Sequence, residues 1–270
     1  MNLSRSRIET ARSLLFVPGH RPDRFAKAAS ADAGAVIIDL EDAVAAQDKD
    51  RARDNVAAWL GEGNSAMVRI NPPGTPWCDA DLAVAARYGA PVMVPKSEDP
   101  ATLADITCRT AGKCLLVPLV ETAAGVERAM KVCATPGAVR VAFGNADLAR
   151  QLGIAHDDHT ALAYARSRLV SASAAAGLCP PVDGVTTSVA DMDALTADIV
   201  HARRLGFTGK LCIHPAQIAA VTAHLAPTES EQRWARAVVA AGDSVTVVDG
   251  EMVDKPLLER ARRILSAADR

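Results

Sequence analysis

Glu121 ends the apolar run Leu115-Leu-Val-Pro-Leu-Val, and Asp147 follows closely on the run Val139-Arg-Val-Ala-Phe-Gly144. Two carboxylates leaving successive strands at the same end would stand side by side. They could hold a hard cation such as Mg²⁺, with water and substrate oxygens filling the remaining positions. The same residues also suit a plainer role, with Glu121 capping a helix over Thr122 to Lys131 and Asp147 capping the next one. Position alone leaves both readings open.

Other polar groups follow apolar runs in the same way: Pro18-Gly19-His20-Arg21, Asp39-Leu40-Glu41-Asp42, Arg69-Ile70-Asn71, Lys96, Asp183 and His214. Buried charge costs several kcal/mol unless it is paired or metal-bound, so packing alone does not account for this concentration. Arg69 offers a planar fork of donors that can grip a carboxylate or a thioester carbonyl, or can simply pair with Glu41 or Asp42. Asp39, Glu41 and Asp42 form a crowded anionic cluster that Arg69, Lys96 or a metal must offset, and Glu41 or Asp42 is expected to support the site from behind. His156-Asp157-Asp158-His159 has metal-ligand residue types, but consecutive side chains diverge, and a solvated loop with an N-cap is the expectation. His214 is either a strand-end histidine with a satisfied hydrogen bond or a site residue.

The elements that must position these groups are short apolar runs bounded by Pro or Gly, with helical patterns between them. The runs are Leu14 to Pro18, Ala35 to Glu41, Ala66 to Asn71, Val92 to Lys96, Leu115 to Glu121, Val139 to Gly144, Pro180 to Thr187 and Gly209 to Pro215. Eight parallel βα units predict a closed (β/α)₈ TIM barrel over residues 12–226. The competing doubly wound sheet usually carries a glycine-rich first turn, and neither GxGxxG nor GxxxxGK[ST] is present. Helices are expected over Ala161 to Val170 and Ala194 to Leu205, capped by Asp158 or Thr160 and by Asp191 or Asp193. Residues 227–270 fall outside the eighth unit, with helices over Glu231 to Ala241 and Leu257 to Leu265 and a turn around Asp249-Gly250. This segment reads as a lid or an oligomer contact.

A chain of 270 residues with 49% hydrophobic content can bury a large core. The formal net charge of -2 and the absence of like-charge blocks provide no footprint for nucleic acid or a membrane surface. Small-molecule chemistry is the expected function class. Six cysteines without a CxxC pair read as small buried hydrophobes in a reducing cytoplasm. Met1 to Arg12 is polar and lacks the apolar stretch of a secretion signal.

Longer phrases then carry a resemblance. Arg12-Ser-Leu-Leu-Phe-Val-Pro-Gly19 with Arg21-Pro-Asp-Arg-Phe25, Asp39-Leu-Glu-Asp-Ala-Val44, Val68-Arg-Ile-Asn71 and Val94-Pro-Lys96 open the series. Val120-Glu-Thr-Ala123, Phe143-Gly-Asn-Ala-Asp-Leu148, Ala165-Arg-Ser-Arg-Leu169, Asp183-Gly-Val185 and Gly209-Lys-Leu-Cys-Ile-His-Pro215 complete it. Together they resemble the citrate lyase β-subunit-like branch of the HpcH/HpaI aldolase family across nearly the whole chain. The resemblance implies a Mg²⁺-dependent carbon-carbon lyase on a TIM barrel, acting on a citryl-, malyl- or citramalyl-CoA type of 3-hydroxyacyl thioester. By motif it places Glu121 and Asp147 at the metal and Arg69 at the substrate. It also implies an in-trans aspartate from a neighbouring subunit, for which Asp254 in Met252-Val-Asp-Lys-Pro256 stands, although Leu257 follows the proline where the family usually has an aromatic or a histidine. A homo-oligomer, trimer or hexamer, follows from that arrangement. Arg69, Asp254 and Glu41 are the catalytic candidates, and Arg69, Glu121, Lys96 and Arg21 the substrate-binding ones. Arg21, Arg24 and Lys27 could meet the phosphates of CoA or could form a solvated face.

The implied reaction is a retro-Claisen cleavage: the hydroxyl loses its proton and the acyl-CoA leaves as an enolate, giving a 2-oxo acid and an acyl-CoA. Two alternatives use the same framework, a malyl-CoA-type thioesterase and the β subunit of a citrate lyase complex dependent on a carrier protein. A metal-dependent aldolase for 2-keto-3-deoxy sugar acids is disfavoured by the opening phrase and the C-terminal segment.

Overall fold

Strands buried on both faces must be apolar nearly throughout, and five-residue runs such as Leu116–Val120 are buried at every position. In the computed structural model, which describes residues 3–241, 246–248 and 251–268, eight such strands close into a parallel barrel. They are β1 (Ser13–Pro18), β2 (Ala35–Asp39), β3 (Met67–Arg69), β4 (Val92–Val94), β5 (Leu116–Val120), β6 (Ala142–Phe143), β7 (Val182–Asp183) and β8 (Gly209–Cys212). Closure is made by β1, which pairs with β2 through Leu14↔Ala35 to Pro18↔Asp39 and with β8 through Ser13↔Lys210 to Leu15↔Cys212. This is the predicted (β/α)₈ TIM barrel.

The strands are shorter than the apolar runs predicted. Ala35 to Glu41 pairs only to Asp39, and Pro180 to Thr187 contributes only Val182–Asp183. Glu41, Asn71, Lys96 and Glu121 lie just beyond the C-terminal ends of their strands, whereas Asp39, Arg69 and Asp183 are the last paired residues of theirs. The barrel interior is filled from several strands by Leu14, Ile37, Met67, Met93, Val117, Leu119, Ala142 and Leu211, with Ile8 of the helix Arg5–Thr10 packed into the same cluster.

The N-terminal end of the barrel is closed by Arg140, fully buried between strands. Its guanidinium donates to the carbonyls of Ile8, Ala11 and Pro180 and to Thr208 Oγ1 at 2.6 to 3.0 Å. Burial pushes this guanidinium down to about 10. A side chain at Gly209 would bring its Cβ to 2.7 Å from Arg140 Nη2, so glycine is required there.

Helix starts follow capping chemistry. Asp191 accepts from Ala194 N to open Met192–Leu205, and Asp158 accepts from Ala161 N ahead of Ala163–Ala175. The single helix predicted over Thr122 to Lys131 is instead two short ones, Ala123–Glu127 and Ala129–Cys133. Cys78, Cys114, Cys133 and Cys212 are buried as free thiols, Cys179 is half-buried and Cys108 is exposed.

The chain divides into two compact units, one running to Val221 and the other from Thr222. The second contains Glu229–Ala240, opened by a Thr228/Glu231 capping box, and Lys255–Ala268. These two helices share a core of Ala235, Val238, Leu258 and Ala261. Strands Thr246–Val248 and Glu251–Val253 pair antiparallel. The turn expected at Asp249-Gly250 lies outside the described residues. No described helix is long and apolar enough to cross a membrane.

Candidate active site

At the C-terminal end of the barrel a cavity of about 420 Å³ is lined by Asp39, Asp42, Arg69, Glu121 and Asp147 together with an apolar wall. Glu121 is 2% exposed and does not cap a helix. That task falls to Thr122, whose Oγ1 accepts from Gly125 N. Asp147 lies in the first turn of the helix Asn145–Leu152, whose N-cap is Gly144. A Cβ at Gly144 would collide with the Glu121 side chain, so glycine lets that helix start against Glu121. The capping alternatives for both carboxylates therefore fail, and the two acids share one cavity.

Lys96 shows how strongly the site is organised. Its φ is +52°, a left-handed conformation that costs a non-glycine residue of order 1–3 kcal/mol. In this conformation its backbone N–H donates to Glu121 Oε1 at 2.8 Å while its ammonium lies 3.1 Å from the same oxygen. The ammonium is also 3.4 Å from Glu41 Oε1 and 3.5 Å from Asp147 Oδ2. Burial works against the ammonium, but Glu121 and Glu41 prevail and raise its pKa.

Arg69 is held from three sides. Its Nε and Nη2 bind Asp39 in bidentate fashion at 2.7 and 2.6 Å, and Nη1 is 3.1 Å from Glu41 Oε2. The ring of Phe16 lies 4.7 Å from the guanidinium carbon. The pairing with Glu41 and Asp42 considered from sequence is present, with Asp39 as the main partner, and Arg69 still faces the cavity. Asp39 is itself fixed by the N–H groups of Glu41 and Ala43.

Negative charge is in excess. Burial pushes the Glu41 carboxyl up to about 8, Arg69 opposing and Glu121 adding to it. Glu41 Oε2 has no well-directed hydrogen bond despite its proximity to Arg69. Burial likewise raises Glu121. Asp147 is lowered, because Arg150 and Lys96 outweigh its desolvation. Convergent carboxylates served by one shared ammonium match the donor chemistry of a hard divalent cation. Among the described residues no group of three or more His, Cys, Asp and Glu is arranged as a metal cage. A two-carboxylate Mg²⁺ site with water and substrate oxygens has the donor set that is present.

The other residues singled out from sequence are placed differently. Asp183 is fully buried and does not line the cavity; Arg166 Nε binds it at 2.8 Å and Lys210 Nζ lies 3.4 Å away, and these cations lower its pKa against burial. His214 accepts from Ala216 N and opens a short turn. His159 binds Asp198 at 2.7 Å and stacks on His201, while His156 meets Thr187, so the cluster diverges as expected. Arg21 pairs with Asp23 and does not line the cavity. Glu41 also lies behind the lining, in contact with Arg69 and Lys96. Asp254 belongs to the C-terminal unit, where it is exposed and its Oδ1 accepts from Leu257 N.

Sequence reasoning assigned no role to Asn145. Its Nδ2 donates to the carbonyls of His156 and Val185 and its Oδ1 accepts from Val185 N, tying the helix that carries Asp147 to the end of β7. Its place between Phe143-Gly and Asp147 was the only local signal.

A citrate lyase subunit beta-like protein of Deinococcus radiodurans is 35% identical over 94% of this chain and 96% of its own length. A (3S)-malyl-CoA thioesterase of Cereibacter sphaeroides is 33% identical over 96% of this chain and 94% of its own. Among solved structures, CitE from Mycobacterium tuberculosis in complex with magnesium, acetoacetate and coenzyme A superposes with a TM-score of 0.84 at 33% identity, covering 97% of this chain and 100% of that one. Residues 12–215 match the HpcH/HpaI aldolase/citrate lyase family, and the chain belongs to it.

Proposed function

We propose that the protein is a Mg²⁺-dependent carbon-carbon lyase that cleaves a 3-hydroxyacyl thioester of the citryl-, malyl- or citramalyl-CoA type into a 2-oxo acid and an acyl-CoA. The observation that carries this reading is the single cavity in which Glu121 and Asp147 face Arg69. Glu121 and Asp147 would hold the ion, which supplies Lewis-acid stabilisation of charge on the hydroxyl and carboxylate oxygens of the 2-oxo acid half.

Arg69 serves the growing oxygen charge. Asp39 and the Phe16 ring pre-set its plane, so little reorganisation is required as the bond breaks. Lys96 holds Glu121 and Asp147 in place through its ammonium, and Glu41 backs both cations. The first turn of Asn145–Leu152 lines the cavity, and a helix start, with its N–H groups free of helical acceptors, favours a bound carboxylate. One proton must leave the hydroxyl and one must reach the enolate carbon. Asp254 of a neighbouring copy is assigned the acid/base role toward that carbon, and Glu41, pushed up to about 8, can hold a proton near neutral pH beside Arg69. This assignment goes with a homotrimer, or a hexamer of two trimers, in the cytoplasm. Arg21 is assigned to the CoA phosphates, and residues 227–270 to a lid or oligomer contact.

Similarity to the malyl-CoA thioesterases supports hydrolysis of the same thioester as a second reading. Similarity to the citrate lyase subunit beta of Escherichia coli, 31% identical, supports a role on a carrier-bound thioester. An assay with citryl-, malyl- and citramalyl-CoA, in Mg²⁺ or EDTA, separates them. Mg²⁺-dependent 2-oxo acid without free CoA is expected. Free CoA with intact hydroxy acid would replace the lyase with a thioesterase, and turnover only of carrier-bound thioesters would make the protein a complex subunit.

A further inference from the structure

The turn that leaves β2 is held through both kinds of backbone group. Its N–H groups at Glu41 and Ala43 donate to Asp39, whose carboxylate also receives the Arg69 fork. Its carbonyls at Leu40 and Glu41 accept from Lys49 Nζ at 2.8 and 2.9 Å. We propose that Lys49 is a positioning residue for Arg69: from the first turn of the helix Lys49–Gly61 it locks the turn after β2, so that Asp39 offers the Arg69 fork a carboxylate of fixed orientation. The effect on rate rests on the lyase reading above.

Lys49 is 7% exposed and does not line the cavity, so it takes no direct part in the chemistry. Burial lowers its pKa, and the charges of Asp39, Asp81, Glu41 and Asp42 oppose that. Its nitrogen lies 5.2 Å from the centre of the Trp77 ring, so two N–H groups meet carbonyls while the charge meets an aromatic face. Burying an ammonium is costly unless its donors are met, and what they meet here is the turn that follows Asp39. Leu40 is wholly buried, and its carbonyl needs the internal partner that Lys49 supplies. The Leu40 N–H donates to Arg69 O at 2.9 Å, which gives a second route from Lys49 to the residue it positions.

The same helix also holds the exit of β3. Arg53, one turn on from Lys49, binds the buried Asp81 at 2.8 Å, and Asp81 accepts from the backbone N–H and the side-chain amide of Asn71, just past Arg69. Two cations on one helix therefore fix the two strand exits that carry the Arg69–Asp39 pair. Asp39, Asp42 and Arg69, which line the cavity, all belong to these exits. Lys49 sets the angle of the Asp39 carboxylate, and the plane of the guanidinium follows it because the pair is bidentate. A guanidinium turned from that plane loses its hold on oxygen charge that grows in the transition state.

The test is a double-mutant cycle read beside a spectroscopic signal. Lys49→Met keeps much of the bulk and loses the donors. With Mg²⁺ and whichever of citryl-, malyl- and citramalyl-CoA the parent cleaves, its kcat should fall by about 10-fold or more while KM changes by less than about 3-fold, because the lost interaction acts in the transition state. In the Arg69→Lys background the same substitution should cost less than about 2-fold, since the fork it positions is already gone. Losses that multiply in full would make Lys49 a structural residue only and overturn the proposal, as would parental kinetics in Lys49→Met. Should Lys49→Met fail to fold, Lys49→Gln, whose amide nitrogen stops one bond short of Nζ, goes through the same cycle under the same criteria. The Arg69 Nε–H resonance of ¹⁵N-labelled protein, identified by its absence from Arg69→Lys, reports on positioning without any substrate. Its exchange with solvent should be faster by about 10-fold or more in the Lys49 variant, and unchanged exchange would refute the proposal. A parent that cleaves no thioester would remove the lyase reading, while faster exchange in the variant would still uphold the positioning of Arg69 by Lys49.

Discussion

The two ends of the barrel each carry a buried arginine, and they are built on opposite principles. At the N-terminal end, among the described residues, no carboxylate forms an ion pair with Arg140; three carbonyls and a hydroxyl satisfy its donors, and the charge is simply enclosed. At the C-terminal end Arg69 is surrounded by Asp39, Glu41 and Asp42, and with Glu121 and Asp147 these carboxylates outnumber Arg69, Lys96 and Arg150, the cations paired with them. One end is closed electrostatically and the other is left needing a cation and a substrate. The lesson is that burial of charge marks a site only where the charge remains uncompensated.

The comparison breaks first at Glu121. Glu121→Ala should lower turnover by about 1,000-fold or more while circular dichroism and Tm stay near those of the parent, and full activity would remove the metal-centred mechanism. Arg69→Lys keeps the charge and loses the fork, so kcat/KM should fall by about 100-fold. Near-parental kinetics there would give Arg69 a structural role only. At the other end, Arg140→Met should cost about 3 kcal/mol by urea unfolding, because buried carbonyls lose their donors, and should leave kcat of the folded protein unchanged. A lost kcat at unchanged stability would erase the distinction between the ends.

The last prediction concerns Glu41. Its carboxyl sits at about 8 in the folded chain against an ordinary 4.5, so the folded state holds the proton more tightly than the unfolded state does. In EDTA, stability is therefore expected to fall as pH rises from about 4.5 and to level off above about 8. Glu41→Gln should flatten that slope in Tm measured between pH 5 and pH 8.5. An unaltered slope would assign the pH dependence to another group.

Much of the site was legible because a TIM barrel places strand ends at one mouth, so Glu121, Asp147, Arg69 and Asp39 could be read straight from where apolar runs stop. Asp183 ends a run in the same manner yet turns under the floor to Arg166 and Lys210. Nothing in its neighbours distinguishes it from Asp39, since side-chain direction at a strand end depends on the pleat and on partners from other strands. The capping alternative at Glu121 was equally invisible to refute, because adjacent Thr122 has the same local chemistry and only the fold decides which of the two accepts from Gly125.

The sequence by itself determined the eight apolar runs, their alternation with helices, the barrel they close and the acids at their ends, because hydrophobic periodicity and run length are local properties of the chain. Only the tertiary structure decided that Arg140 seals the N-terminal end through residues as distant as Ile8 and Thr208. It alone decided that Lys96 gathers Glu41, Glu121 and Asp147, and that one wall of the cavity is apolar. These are contacts between side chains far apart along the chain, and their energy depends on burial and partner geometry that exist only once the barrel has closed.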